Sequence, residues 1–141
     1  MKIRSCFSQL GRVGAYITEE RIIVVTGAAG SRDPYRSRQT AIVCVENADY
    51  SVFTIEDSRG EDPTVVLNRM VEGLTATNFE TEINREKAIR KALEMARTSD
   101  TILILGKGLE SFEKVKGAFV AHKNDYEIAQ EYLLELKNTR K

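Results

Sequence analysis

The sequence predicts an α/β fold with a mostly parallel sheet and a hairpin close to its C-terminal end. Two patterns predict it. Short β-branched runs alternate along the chain with longer amphipathic segments, the order expected when each strand is followed by a covering helix. Several of these runs end in glycine or in a dense group of charges, as strands do where they open into loops at the rim of a sheet. With 141 residues and 42% hydrophobic content, the chain has the length and apolar mass for one domain with one core.

The elements follow in order. RIIVVTG, from Arg21 to Gly27, is a β-branched run closed by glycine and reads as a buried strand. In RDPYRSRQTAIVCVENA, Pro34 stands near the start, where a helix tolerates it, and Ile42, Val43 and Val45 carry the helix to about Asn47. DYSVFTI is the next strand. Pro63 opens PTVVLNRMVEGL, in which Val66, Leu67, Met70, Val71 and Leu74 recur at helical spacing and Gly73 is the stop. NFETEI is a short strand. NREKAIRKALEMARTS is the clearest helix, capped by Asn84, with Ala88, Ile89, Ala92, Leu93 and Ala96 as its apolar stripe. DTILILGKG is another buried strand running into a glycine loop. Gly117 divides FEKVKGAFVAH into two short pieces, the pattern of a hairpin. DYEIAQEYLLELK is the closing helix, with Ile128, Ala129, Tyr132, Leu133 and Leu136 as its buried face, and the terminal NTRK is expected to fray. The weakest pattern is SQLGRVGAYITEE, a helix candidate that Gly11 and Gly14 weaken.

Bulk properties narrow the function. Lys plus Arg and Asp plus Glu are equal at 21 each, so the net charge is zero, which argues against a general nucleic-acid or membrane-surface binder. No run of 18 or more apolar residues suggests a membrane span, and MKIRSCFSQLGRV has no continuous apolar block of the kind a signal peptide needs. Cys6 and Cys44 form no metal pattern and read as thiols of a reducing cytoplasm. His122 is the single histidine, which excludes a two-histidine metal site.

Ligands of open α/β sheets bind beyond the carboxyl ends of the strands. Three such ends are chemically unusual: TGAAGSRD (Thr26 to Asp33), EDSRGED (Glu56 to Asp62) and GKGLE (Gly106 to Glu110). Each also has a plain reading. The first is a tight turn whose glycines supply positive φ, since its G-x-x-G spacing is not the dinucleotide fingerprint. The second is a polar loop in which Asp62 and Pro63 start a helix. The third lacks the spacing and the Ser or Thr of a phosphate loop. Taken together they bring cations, Arg32, Arg59 and Lys107, beside anions, Glu56, Asp57 and Glu110. A site of mixed sign suits a zwitterion such as an α-amino acid, whose carboxylate an arginine grips and whose ammonium a carboxylate accepts.

The same segments resemble the C-terminal domain of the Mur ligases, and most closely its MurE type. VVTGAAGSRD is similar to a strand followed by G-x-G-G-x-R-D, and ADYSVFTIEDSRGEDP to the strand leading into D-N-P-R-x-E-D-P. NREKAIRKALEMARTSDTILILGKGLESFE is similar to D-R-x-x-A-I through G-K-G-H-E-x-Y-Q, and HKNDYEIAQEYL to the closing D-R-E-x-A helix. The likeness runs in order from Ile22 to about Leu136. It implies a Rossmann-like three-layer sandwich: one domain over residues 1–141, lacking its first strand, with the central ATPase and N-terminal UDP-binding domains absent.

It also implies an activity. Such ligases phosphorylate a substrate carboxylate with ATP, an incoming amine attacks the acyl phosphate, and ADP and phosphate leave. The MurE type thereby adds the third peptide residue to the UDP-N-acetylmuramoyl-dipeptide precursor of peptidoglycan, in the cytoplasm. By position, Arg32 matches the residue that grips the incoming amino acid, Arg59 the residue associated with diaminopimelate selection, and Gly106 and Glu110 the pair holding its far end; Glu56 and Asp57, which depart from the motif, are expected in the same amino-acid site. ATP and Mg2+ are implied for the whole ligase, bound mainly by the central domain, with none expected in this chain. The implied partners are the amino acid (diaminopimelate or lysine), the UDP-N-acetylmuramoyl peptide and that central domain.

Three departures bear on specificity and activity. Glu56, Asp57 and Ser58 stand where the motif has D-N-P, Leu109 stands where it has histidine, and no G-T-x-G-K-[ST] phosphate loop occurs. The chain is therefore expected to be inactive alone. The alternative is a non-catalytic ligand-binding or interaction module that kept the fold.

Overall fold

The computed structural model describes residues 2–4, 16–18, 20–30, 33–115 and 117–139. At the start, β1 (Lys2–Arg4) pairs antiparallel with β2 (Tyr16–Thr18). The part of the expected N-terminal helix at Tyr16–Thr18 is thus a strand, and the remainder lies outside the described residues, as do Cys6 and Arg32.

Then the alternation begins. β3 (Ile22–Ala29), α1 (Pro34–Asn47), β4 (Tyr50–Asp57), α2 (Pro63–Val71), β5 (Phe79–Thr81), α3 (Arg85–Met95) and β6 (Thr101–Ile104) follow one another. The strands form one parallel sheet in the order β5-β4-β3-β6. A hairpin, β7 (Phe112–Val115) with β8 (Ala118–Ala121), and the last helix, α4 (Asp125–Thr139), complete the chain. Gly117 turns the hairpin at φ +84°, where an L side chain is strained.

Local chemistry explains the helix starts. Asp33, Asp62 and Asn84 each accept a backbone N–H of the following turn, from Tyr35, Thr64 and Lys87 respectively. Proline opens α1 and α2, where its missing N–H costs nothing. At α4, Asn124 Oδ1 accepts from the Glu127 N–H at 2.8 Å and the Glu127 carboxylate reaches back to the Asn124 N–H at 3.4 Å, a reciprocal cap.

Residues on β3 alternate between two cores. Ile22, Val24 and Ala28 pack with α1 and α2; Ile23 and Val25 pack with Ala88, Ile89 and Ala92 of α3 and Ile128 of α4. The three-layer α/β sandwich expected from the sequence is present. Two expectations are corrected. The β6 strand is only half-buried because it is the last strand in the sheet, with β3 on one side alone. Leu133 is 54% exposed, because α4 packs on α3 rather than on the sheet and only Ile128 of its apolar residues reaches the core. At the amino-terminal rim, Arg21 pairs with the nearly buried Asp100 carboxylate, which also accepts the Arg97 N–H at 2.8 Å. Among the described residues, no helix is long and apolar enough to cross a membrane.

Candidate functional site

Parallel strands place their carboxyl ends on one rim, so the loops after β3, β4 and β6 converge there. Close approach of the first two loops rests on glycine. A Cβ on Gly27 would lie 2.6 Å from the Glu56 backbone nitrogen, and one on Gly30 would lie 1.8 Å from the Ser58 carbonyl oxygen. Neither glycine has positive φ, which corrects the expectation that this turn uses them for left-handed backbone. Their task is to admit the β4 backbone, and Gly30 N–H donates to the Asp57 carbonyl at 2.7 Å.

The register slips at this point. Ala28 pairs with Ile55 and Ala29 with Asp57, leaving Glu56 without a partner on β3. Such a bulge re-aims the side chain it carries. Glu56 faces a cleft of about 390 Å3, and its carboxylate lies against Gly106, whose φ of +114° suits glycine alone. Ser58 shares the Glu56 wall. Asn84, the cap of α3, and Arg85 and Glu86 of its first turn line the cleft with Lys107, His122 and Lys123, and Ile55, Ile83 and Ile128 add apolar lining.

Charges in the cleft are mostly matched. Arg85 forks onto Asp125, Nε and Nη2 each donating at 2.8 Å, and Nη2 also donates to the Leu105 carbonyl at 3.0 Å. This ties the starts of α3 and α4 to the end of β6. Lys123 lies between Glu131 (2.8 Å) and Glu86 (3.3 Å), hydrogen bonds that raise its pKa above the usual lysine value. Glu82, just before the α3 cap, is held below the usual carboxylate range, first by the Asn84 N–H and then by Lys91.

Two charges are left. Lys107 is buried, 8% exposed, and its ammonium donates to His122 Nε2 at 3.3 Å. The His122 Nδ1 lies 2.8 Å from the Lys123 carbonyl, which can only accept, so Nδ1 carries the proton and Nε2 is the acceptor. Neither Glu56 nor Lys107 forms an ion pair with a described residue, and they do not pair with each other.

The residues singled out in the sequence separate accordingly. Glu56 and Gly106 meet at the cleft. Asp57 and Arg59 are not among its lining: Asp57 Oδ1 accepts the Arg59 N–H at 3.0 Å, Oδ2 lies 3.9 Å from Arg59 Nε, and Arg59 holds φ +50°. Glu110 is exposed, its N–H closing a turn onto the Lys107 carbonyl at 2.9 Å. Arg85, His122 and Asp125 were not singled out as site residues. Arg85 and Asp125 are 40 residues apart in sequence, and only their occurrence within the resembling D-R and D-R-E segments marked them at all.

The profile of the family described as "Mur ligase, glutamate ligase domain" matches residues 2–108. The chain belongs to that Mur ligase family. A UDP-N-acetylmuramoyl-L-alanyl-D-glutamate–2,6-diaminopimelate ligase of Bacillus licheniformis is 37% identical over 121 residues, 86% of this chain and 25% of the relative. A ligase of the same name from Chlamydia abortus is 39% identical over 108 residues, 77% of this chain and 22% of the relative. The UDP-N-acetylmuramyl-tripeptide synthetase 2 of Oceanobacillus iheyensis is 38% identical over 118 residues, 84% of this chain and 24% of the relative. A solved structure of a UDP-N-acetylmuramoyl-L-alanyl-D-glutamate–2,6-diaminopimelate ligase superposes with a TM-score of 0.77 at 21% identity, over 86% of this chain and 25% of that one, a likeness of fold. This Mur ligase chain therefore spans about a quarter of the length of the curated relatives it matches.

Proposed function

We propose that the chain is the amino-acid-presenting C-terminal domain of an ATP-dependent, ADP-forming ligase of the MurE type. The ligase adds the third peptide residue to UDP-N-acetylmuramoyl dipeptide, in the cytoplasm. The observation that carries this reading is the cleft at the carboxyl rim, where Glu56 and Lys107 stand in one cavity as an anion and a cation without ion-pair partners among the described residues. An amino acid supplies both opposite charges. The names of the similar relatives, diaminopimelate ligases and a tripeptide synthetase, support the substrate class.

The chain's part in the reaction is positioning. Holding the amine of an amino acid at a fixed point converts a bimolecular attack into an intramolecular one. Arg32 and Arg59 neutralise carboxylate, Asp57 and Glu110 accept ammonium, and Glu56 adds a further carboxylate at the cleft. Retained Arg59 favours diaminopimelate, with its second carboxylate, over lysine. ATP and Mg2+ belong to the central domain of the ligase. No G-x-x-x-x-G-K-[ST] loop occurs in this sequence.

The test is steady-state turnover of the full-length ligase that carries this domain. Arg59→Ala is expected to raise the KM for diaminopimelate with little change in the KM for ATP. Unchanged kinetics toward the amino acid would refute the role of Arg59. Failure of the ligase to incorporate any amino acid would refute the function.

A further inference from the structure

We propose that Lys107, oriented by His122, is a carboxylate-binding subsite of the cleft. The inference rests on the amino-acid reading above, but it assigns a group that the resemblance leaves without a role. Lys107 is buried, and an ammonium removed from water is costly unless its charge is met. Its one hydrogen-bond partner among the described residues is the imidazole Nε2 of His122. An ammonium has three donors, so that contact leaves two donors with no described acceptor. The other cations lining the cleft are already paired, Arg85 with Asp125 and Lys123 with Glu86 and Glu131. Lys107 is therefore the lining cation whose charge an incoming anion would meet.

His122 acts through Lys107 and is a positioning residue. Its Nδ1–H is fixed by the Lys123 carbonyl, which presents the Nε2 lone pair to the ammonium and sets the direction of the remaining two donors. The anion is a carboxylate rather than a phosphate. Glu56 and Glu86 line the same cavity, and a phosphate dianion concentrates two charges on one centre beside them, a repulsion that a single ammonium does not offset, whereas each carboxylate group of a dicarboxylate carries one charge. A monoanionic carboxylate matches one ammonium, and a neighbouring ammonium on the same ligand would face Glu56.

The purified chain is titrated by amide and lysine-ammonium NMR with meso-diaminopimelate, glutarate, 1,5-diaminopentane and inorganic phosphate. Diaminopimelate and glutarate are expected to shift Lys107, His122 and Asn84. Diaminopentane, which lacks carboxylates, is expected not to shift Lys107, and phosphate should bind at least about tenfold more weakly than glutarate. Lys107→Met should weaken both carboxylate ligands by about tenfold or more, the loss of one charge-assisted contact. His122→Leu should weaken them too, whereas His122→Gln, which keeps an acceptor, should restore binding to within about threefold of the parent. Equal binding by a folded Lys107→Met chain, no binding of either carboxylate by the parent chain, or phosphate binding as tightly as glutarate would each overturn the subsite. Lys107-dependent glutarate binding with no preference for amino acids would keep the subsite and count against the amino-acid reading. Amino-acid binding indifferent to Lys107 would do the reverse.

Discussion

The Arg85–Asp125 pair offers the sharpest test of what holds the cleft together. Its side chains are 12% and 7% exposed, so both charges are largely out of water. Replacing Arg85 with Met keeps an unbranched apolar stem. It removes two hydrogen bonds of 2.8 Å to Asp125 and one of 3.0 Å to the Leu105 carbonyl, and it leaves a carboxylate buried without its cation. Breaking one side of a buried pair costs about 3–5 kcal/mol, and the residual exposure of Arg85 argues for the lower end, about 3 kcal/mol. For a chain of 141 residues that is a fall of about 10 °C in Tm. Most of the cost is the stranded charge, so adding Asp125→Asn should recover about 1–2 kcal/mol rather than lose more. Urea unfolding followed by far-UV circular dichroism measures both variants, with a constant slope in denaturant confirming that stability alone has changed. A loss below about 1 kcal/mol for Arg85→Met, or a double variant less stable than the single one, would refute the reasoning.

Three further outcomes are expected. Gly27→Ala places a Cβ 2.6 Å from the Glu56 nitrogen, which is backbone and cannot swing aside, so unfolding experiments should show a loss of about 2 kcal/mol and the Glu56 amide should shift in NMR spectra. Asn124→Ala removes the cap of α4 and should cost about 1 kcal/mol, read as a lower urea midpoint with early fraying of α4 by hydrogen exchange. The Asp100 carboxyl is held below its usual range, first by its hydrogen bond with Arg21 and then by the Arg97 N–H, against an opposing effect of burial. A depressed folded pKa contributes stability that is fully present above the ordinary carboxylate value and is lost as pH falls from that value through the folded one. Acid titration of stability should therefore have a shallower limb below about pH 4 in Asp100→Asn than in the parent; identical limbs would refute it.

Much of the fold was legible because its signals are local. Pro34, Pro63 and Asn84 announce helix starts through their own backbone chemistry, and each helix begins where they stand. Gly117 marks a hairpin because only its φ of +84° lets two short strands turn back. Leu133 misled because helical periodicity says which residues share a face, not whether another element covers it. The β6 strand misled similarly, since a run of aliphatic residues does not disclose that it will be the last strand in its sheet. In the candidate site, Glu56 and Gly106 could be named from the sequence, but their contact depends on a bulge that no local pattern announces.

By itself, then, the sequence determined the order of strands and helices from Ile22 onward, the starts of α1, α2 and α3 and the three rim loops that bear charge. Those follow from side-chain periodicity and backbone conformational preference, which act over a few residues. Only the tertiary structure decided which charges cancel. Arg85 met Asp125 across 40 residues, Lys107 met His122 across 15, and Asp57 was drawn to the Arg59 backbone two residues on. Among the described residues, Glu56 and Lys107 are the cleft charges left without an ion-pair partner by those pairings, because a charge is met first by its nearest opposite.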